Sequence, residues 1–210
     1  MQWSRVQLRW LCLAWLFSAH ILLVWGSLSA DLELGKSIFS APVSVALDPN
    51  SEALYVSDGL NGRVLRFDNR NTLTSSSMPT MAFGQASLNG TQNNLNQSTP
   101  SSEGLSSDPW GVFVDDAGTL WVSDSVNSRV VWYKNAAAIT VMPHSADGVL
   151  GQPNFATFLP ACARDRMSDP KGLRVSGSTL YVTDAGNNRY YFPLISVLRM
   201  LTQLTYISGC

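Results

Sequence analysis

The stretch LYVSDGLNGRVLRF, Leu54 to Phe67, alternates apolar and polar side chains, breaks at Asn61-Gly62 and alternates again. A period of two interrupted by Asn-Gly is the signature of a β-hairpin. The same words return as LWVSDSVNSRVVWY from Leu120 to Tyr133, and as LYVTDAGNNRYYF from Leu180 to Phe192. Aligned on the aspartate, Asp58, Asp124 and Asp184 stand 66 and 60 residues apart, and each opens the spacing D-x-x-N-x-R. A hairpin written three times at a near-constant interval restricts the fold more than any bulk property does.

The match extends upstream, where PVSVALDPNSEALYVSD, PWGVFVDDAGTLWVSD and PKGLRVSGSTLYVTD each give a proline, a short strand, a turn and a second strand. Downstream, AFGQASL and VLGQPNF follow the first two copies, with Gln85 and Gln152 67 residues apart. Each copy therefore supplies three strands, with a fourth expected near the glycine-glutamine word, joined by tight turns rather than helical crossovers. Such a unit is an antiparallel four-stranded sheet. One sheet alone exposes large apolar residues on both faces, and stacking the copies buries them.

Through these segments, from roughly Pro42 to Phe192, the chain resembles the NHL-repeat family of β-propellers. The resemblance implies an all-β propeller of four-stranded NHL-type blades, about three of them present, preceded by an N-terminal hydrophobic helix. The copies exceed the ~40–45 residues of an ordinary propeller repeat. A loop rich in Ser, Asn and Gly after each glycine-glutamine word accounts for the excess. The expected organisation is a signal segment over 1–29, a repeat region over 30–192 with repeats near 42–67, 109–133 and 170–192, and a divergent tail over 193–210. Closure of a propeller takes about four to eight blades. The reading therefore expects further copies encoded downstream, or self-association that completes the ring.

The repeated polar residues read as scaffold. Asp58, Asp124 and Asp184 end strands and are expected to accept from turn amides. Asn61, Asn127 and Asn187 tolerate left-handed backbone, and Arg63, Arg129 and Arg189 can pair with a carboxylate. Asp115-Asp116 reads as a solvated turn, with a calcium contact as the lesser reading. In the second copy, Trp110 follows Pro109 at the start of an inner strand and is a candidate partner contact; core packing is the alternative. Once the N-terminal segment is removed the only histidine is His144, and no cluster of His, Cys and acidic residues has ligand spacing. No metal, cofactor-binding or catalytic residue is expected.

The start of the chain sets Arg5 and Arg9 before an apolar run from Trp10 to Trp25, followed by GSLSA. This resembles a secretory signal peptide cleaved after Ser29, the alternative being an uncleaved membrane anchor. Asn89-Gly90-Thr91 and Asn96-Gln97-Ser98 are glycosylation acceptors in one polar loop, consistent with export. Cleavage would also remove Cys12, leaving Cys162 and Cys210 to pair or not. It would reduce 14 basic side chains to 12 against 15 acidic ones, a balance of −3 that argues against nucleic acid. The tail places Leu194, Ile195, Leu198, Leu201, Leu204 and Ile207 at near-helical spacing. The leading functional reading is a secreted or surface-exposed, non-enzymatic scaffold for protein or glycan partners. Its alternative is a metal-dependent propeller lyase or hydrolase with its site in the central channel.

Overall fold

The computed structural model describes residues 33–34 and 37–191. The signal-like segment and the tail from Pro193, with Cys210, lie outside the described residues, as does the expected N-terminal helix. All strands belong to the unit Leu34–Cys210.

Three antiparallel sheets follow one another along the chain. The first comprises β1 (Pro42–Leu47), β2 (Leu54–Asp58), β3 (Arg63–Phe67) and β4 (Met81–Phe83), paired in sequence order. The second repeats that order with β5 (Pro109–Val114), β6 (Leu120–Asp124), β7 (Arg129–Tyr133) and β8 (Gly148–Leu150). In the third, β9 (Pro170–Ser176) pairs with β10 (Thr179–Asp184), and β10 with β11 (Arg189–Tyr191). The fourth strands β4 and β8 end immediately before the two glycine-glutamine words.

The hairpin turns are wider than the two-residue Asn-Gly loop that the first copy suggests. Asp58 pairs with Arg63, and the loop between them is a 3-10 turn, Gly59–Asn61, closed by Gly62 in the left-handed region at φ 57°. The tighter two-residue turn requires Asn61 itself to be left-handed. Here the left-handed position falls one residue later in every copy, on Gly62, Ser128 and Asn188.

The sheets lie face to face, with β1 against β5 and β5 against β9. Alternation decides what each interface holds. Between the first two sheets, Ala46, Tyr55, Val64, Met81 and Phe83 meet Val112, Val114, Leu120, Val122, Val131 and Tyr133. The other face of the second sheet presents Phe113, Trp121, Val130 and Trp132 to Leu173, Val175, Leu180 and Val182 of the third. Phe83 bridges two rings, 6.1 Å from Tyr55 and 4.8 Å from Tyr133, and Trp121 lies 5.3 Å from Trp132. Burial of side chains this size stabilises by about 1.5–3 kcal/mol each, which is why adjacent copies hold together.

Candidate functional site

Every repeat aspartate is buried and saturated in the same way. Asp124 Oδ1 accepts from the Ser106 amide at 2.8 Å, while its Oδ2 accepts from Asn127 Nδ2 at 2.8 Å and Arg129 Nε at 2.7 Å. Asp58 does so with Ser40 N, Asn61 Nδ2 and Arg63 Nε at 2.6, 2.8 and 2.8 Å. Asp184 uses Ser168 N, Asn187 Nδ2 and Arg189 Nε at 2.7, 2.8 and 2.6 Å. The expected donors, amides of the aspartate's own turn, are replaced by an amide 16 to 18 residues upstream, just before the proline that opens the copy. Asn61, Asn127 and Asn187 act through their side chains, because the left-handed backbone belongs to the next residue.

The arginines extend the contact outward. Arg63 donates through Nη1 to Leu88 O at 2.6 Å and through Nη2 to Ile38 O at 2.8 Å. Arg129 reaches Phe155 O at 2.7 Å and Gly104 O at 2.9 Å, and Arg189 reaches Ala163 O at 2.8 Å and Arg166 O at 2.6 Å. Each guanidinium thus staples flanking loop segments to its hairpin through backbone carbonyls.

The glutamine of the glycine-glutamine word belongs to the same network, a role that its recurrence alone does not disclose. Gln85 Nε2 donates to Asn61 O, Gly62 O and Gln92 O at 3.1, 3.0 and 2.8 Å, capping the turn carbonyls. Gln152 Nε2 reaches Ser128 O and Leu159 O, both at 3.1 Å. Asn94, buried in the first long loop, exchanges amide hydrogen bonds of 3.3 and 2.8 Å with Asn127. The loop of one copy is thereby locked to the hairpin of the next.

Asp115 is buried rather than solvated: it accepts from Ala117 N at 3.0 Å, Thr119 N at 2.9 Å and Trp121 Nε1 at 2.9 Å. Asp116 is exposed beside it. His144 is half-buried with its ring 6.4 Å from that of Tyr133. Among the described residues, no three His, Cys, Asp or Glu side chains gather as a metal site would need. Cys162 is disulfide-bonded.

All three inner strands are bulged at their first residues, where the register slips between Pro42 and Ser44, between Pro109 and Val112, and opposite Val182 and Asp184. A bulge re-aims the side chain it displaces. In the second sheet this residue is Trp110, 38% exposed, with Lys171 Nζ 3.8 Å from its ring centroid. Lys171 is held in turn by Asp108 at 3.3 Å and Asp169 at 3.0 Å. The indole is therefore fixed at the rim between two sheets, one face under a cation. Asn89 and Asn96 are both exposed, on the loop that Arg63 pins through Leu88 and Gly90.

Burial pushes the phenols of Tyr55 and Tyr133 well above the ordinary tyrosine range. A raised folded-state pKa stabilises below the unfolded value and loses that contribution as pH rises, because only the unfolded chain then ionises. Unfolding free energy is therefore expected to fall above about pH 10, by at most ~1.4 kcal/mol per pH unit for each phenol. The Tyr133 hydroxyl has no hydrogen-bond partner, so Tyr133→Phe should be near-neutral at pH 7 and flatten this alkaline slope in urea titrations. A slope unchanged by the substitution would refute the assignment.

Antiparallel sheets of four strands, stacked with inner strand facing inner strand, define a β-propeller architecture. Within it, residues 107–133, spanning β5, β6 and β7, match the NHL repeat. No curated protein matches the sequence. Among solved structures the chain is similar to a luciferin-regenerating enzyme, at 18% identity and a TM-score of 0.44 over 70% of this chain and 38% of that one. It is similar to the hydrazine synthase of Kuenenia stuttgartiensis at 14% identity and 0.44, over 78% and 35%. It is also similar to the calcium-binding protein regucalcin of Agrobacterium tumefaciens strain C58 at 16% and 0.41, over 69% and 38%. The chain spans 35% to 38% of the length of these three structures.

Proposed function

We propose that this chain is a secreted or cell-surface NHL-repeat scaffold, an open arc of three propeller blades that binds a protein or glycan partner without catalysing a reaction. The observation that carries the reading is the saturation of Asp58, Asp124 and Asp184: each carboxylate is filled by an amide, an asparagine and an arginine of the same chain. Carboxylates used in this way hold loops in place and have no lone pair directed at a substrate. The rim then offers Trp110, whose orientation Lys171 fixes, as the contact residue. A rigid, partly exposed indole suits either a protein hot spot or the face of a sugar. Glycans on Asn89 and Asn96 belong to the same reading.

Expression in a secreting eukaryotic cell is expected to deliver the chain to the medium, with an apparent mass that falls on glycosidase treatment and stays lower in the Asn89→Gln, Asn96→Gln double variant. Retention inside the cell with unchanged mass would overturn the export reading. Stoichiometric zinc or calcium retained by the purified chain through dialysis would instead favour the lyase or hydrolase alternative.

A further inference from the structure

The two interfaces inside the molecule show what a blade presents to the next one. In the first sheet, Ser57 Oγ lies 2.8 Å from the carbonyl of Trp110, the bulge residue of the neighbouring inner strand, and 2.8 Å from the Ser44 amide of its own. In the second, Gly111 stands where Ser44 stood, and a Cβ added there would lie 2.3 Å from the Lys171 carbonyl. The receiving device is therefore a hydroxyl on the second strand and a small residue on the first, facing the bulge carbonyl of the incoming strand.

The third sheet carries the same device on the face turned away from the second. Thr183 Oγ1 accepts from Gly172 N at 2.7 Å, as Ser57 accepts from Ser44, and Gly172 occupies the Gly111 position. Around them, Leu173, Tyr181 and Tyr190 line a groove of about 450 Å³, with Tyr190 67% exposed. The matching half of such an interface exists on the first sheet. Its face away from the second sheet bears Val45, Leu47, Leu54 and Val56, at the positions where Val112, Val114, Leu120 and Val122 fill the first internal interface. Val45 is 62% exposed, while Val112 is buried.

We propose that the occupant of this groove is β1 of a second copy, and that two copies dock reciprocally about a two-fold axis, third sheet to first sheet, closing a ring of six sheets. One chain carries both halves of a single interface, so a second copy satisfies both faces at once. Six sheets fall within the roughly four to eight blades that close a propeller. Val43, the bulge residue of β1, then places its carbonyl against Thr183 and Gly172 of the partner copy.

The test is the mass of the full chain in solution, by sedimentation and native mass spectrometry at micromolar concentration, with a two-copy mass expected. Val45→Asp introduces a charge at an exposed position and is expected to give single copies with an unchanged near-ultraviolet circular dichroism spectrum. Mixing Val43→Cys chains with Thr183→Cys chains under a mild oxidant should yield a mixed disulfide dimer. A single-copy mass for the unsubstituted chain overturns the proposal, and so groove occupancy by the tail or by blades encoded elsewhere would refute it. A dimer that tolerates Val45→Asp and does not cross-link overturns it equally, because its interface lies elsewhere.

Discussion

Replacing Asp124 with alanine is expected to lower the unfolding free energy by about 3–5 kcal/mol, the largest effect of any single substitution in the repeats. The side chains of Asp124 and Arg129 are both fully buried. The remaining partners of Arg129 are neutral carbonyls, so the substitution leaves a buried guanidinium without a counter-charge. It also orphans Ser106 N. A turn aspartate at the surface would cost only about 1 kcal/mol, and burial decides between the two magnitudes. For a chain of this size the melting temperature should drop by roughly 6–20 °C. Asp124→Asn, which keeps an acceptor and loses the charge, should fall between the two proteins. An unchanged melting curve would show that the carboxylate serves something other than the hairpin.

Phe83→Ala is expected to cost about 3–5 kcal/mol for a different reason. Its ring is fully buried between Tyr55 and Tyr133, and its removal opens a cavity at the centre of the first interface. The neighbours are anchored in strands on both sides, so collapse into the void is limited. Phe83→Leu restores most of the volume and should cost less than half as much. Urea midpoints of the two variants give the comparison, and equal losses would mean that the ring contacts rather than the volume carry the stability. The second interface, built on Trp121 and Trp132, should keep its near-ultraviolet signature in both.

The strands and their stacking were legible because both follow from local alternation. A residue at LYVSD faces one neighbour or the other by parity alone, and the third strand RVLRF follows the same parity. Broad placement of the fourth strands followed from the repeated glycine-glutamine words. The aspartate donors were not legible, because the amides of Ser40, Ser106 and Ser168 come from the chain entering each copy, 16 to 18 residues away. Hydrogen bonds across such separations leave no periodic trace. The left-handed residue was misassigned by one because Asn61-Gly62 reads as a two-residue turn, whereas the 3-10 turn shifts the strained position to Gly62. Asn94 is invisible for a further reason: its partner Asn127 lies in the next copy, and nothing in either segment marks the pairing.

The arginine staples grip loops by their carbonyl oxygens alone. A carbonyl is common to all residue types, so the anchor sets the path of the loop while leaving its wording free. Segments such as 86–105 and 153–167 can exchange almost any side chain, or be transplanted between copies, provided that one or two oxygens arrive beside the guanidinium. Such an attachment lets surface recognition drift rapidly over a blade whose interior is held constant. A library randomised in these loops, with Arg63, Arg129, Gln85 and Gln152 retained, is therefore a natural starting point for evolving new binding specificities on this framework.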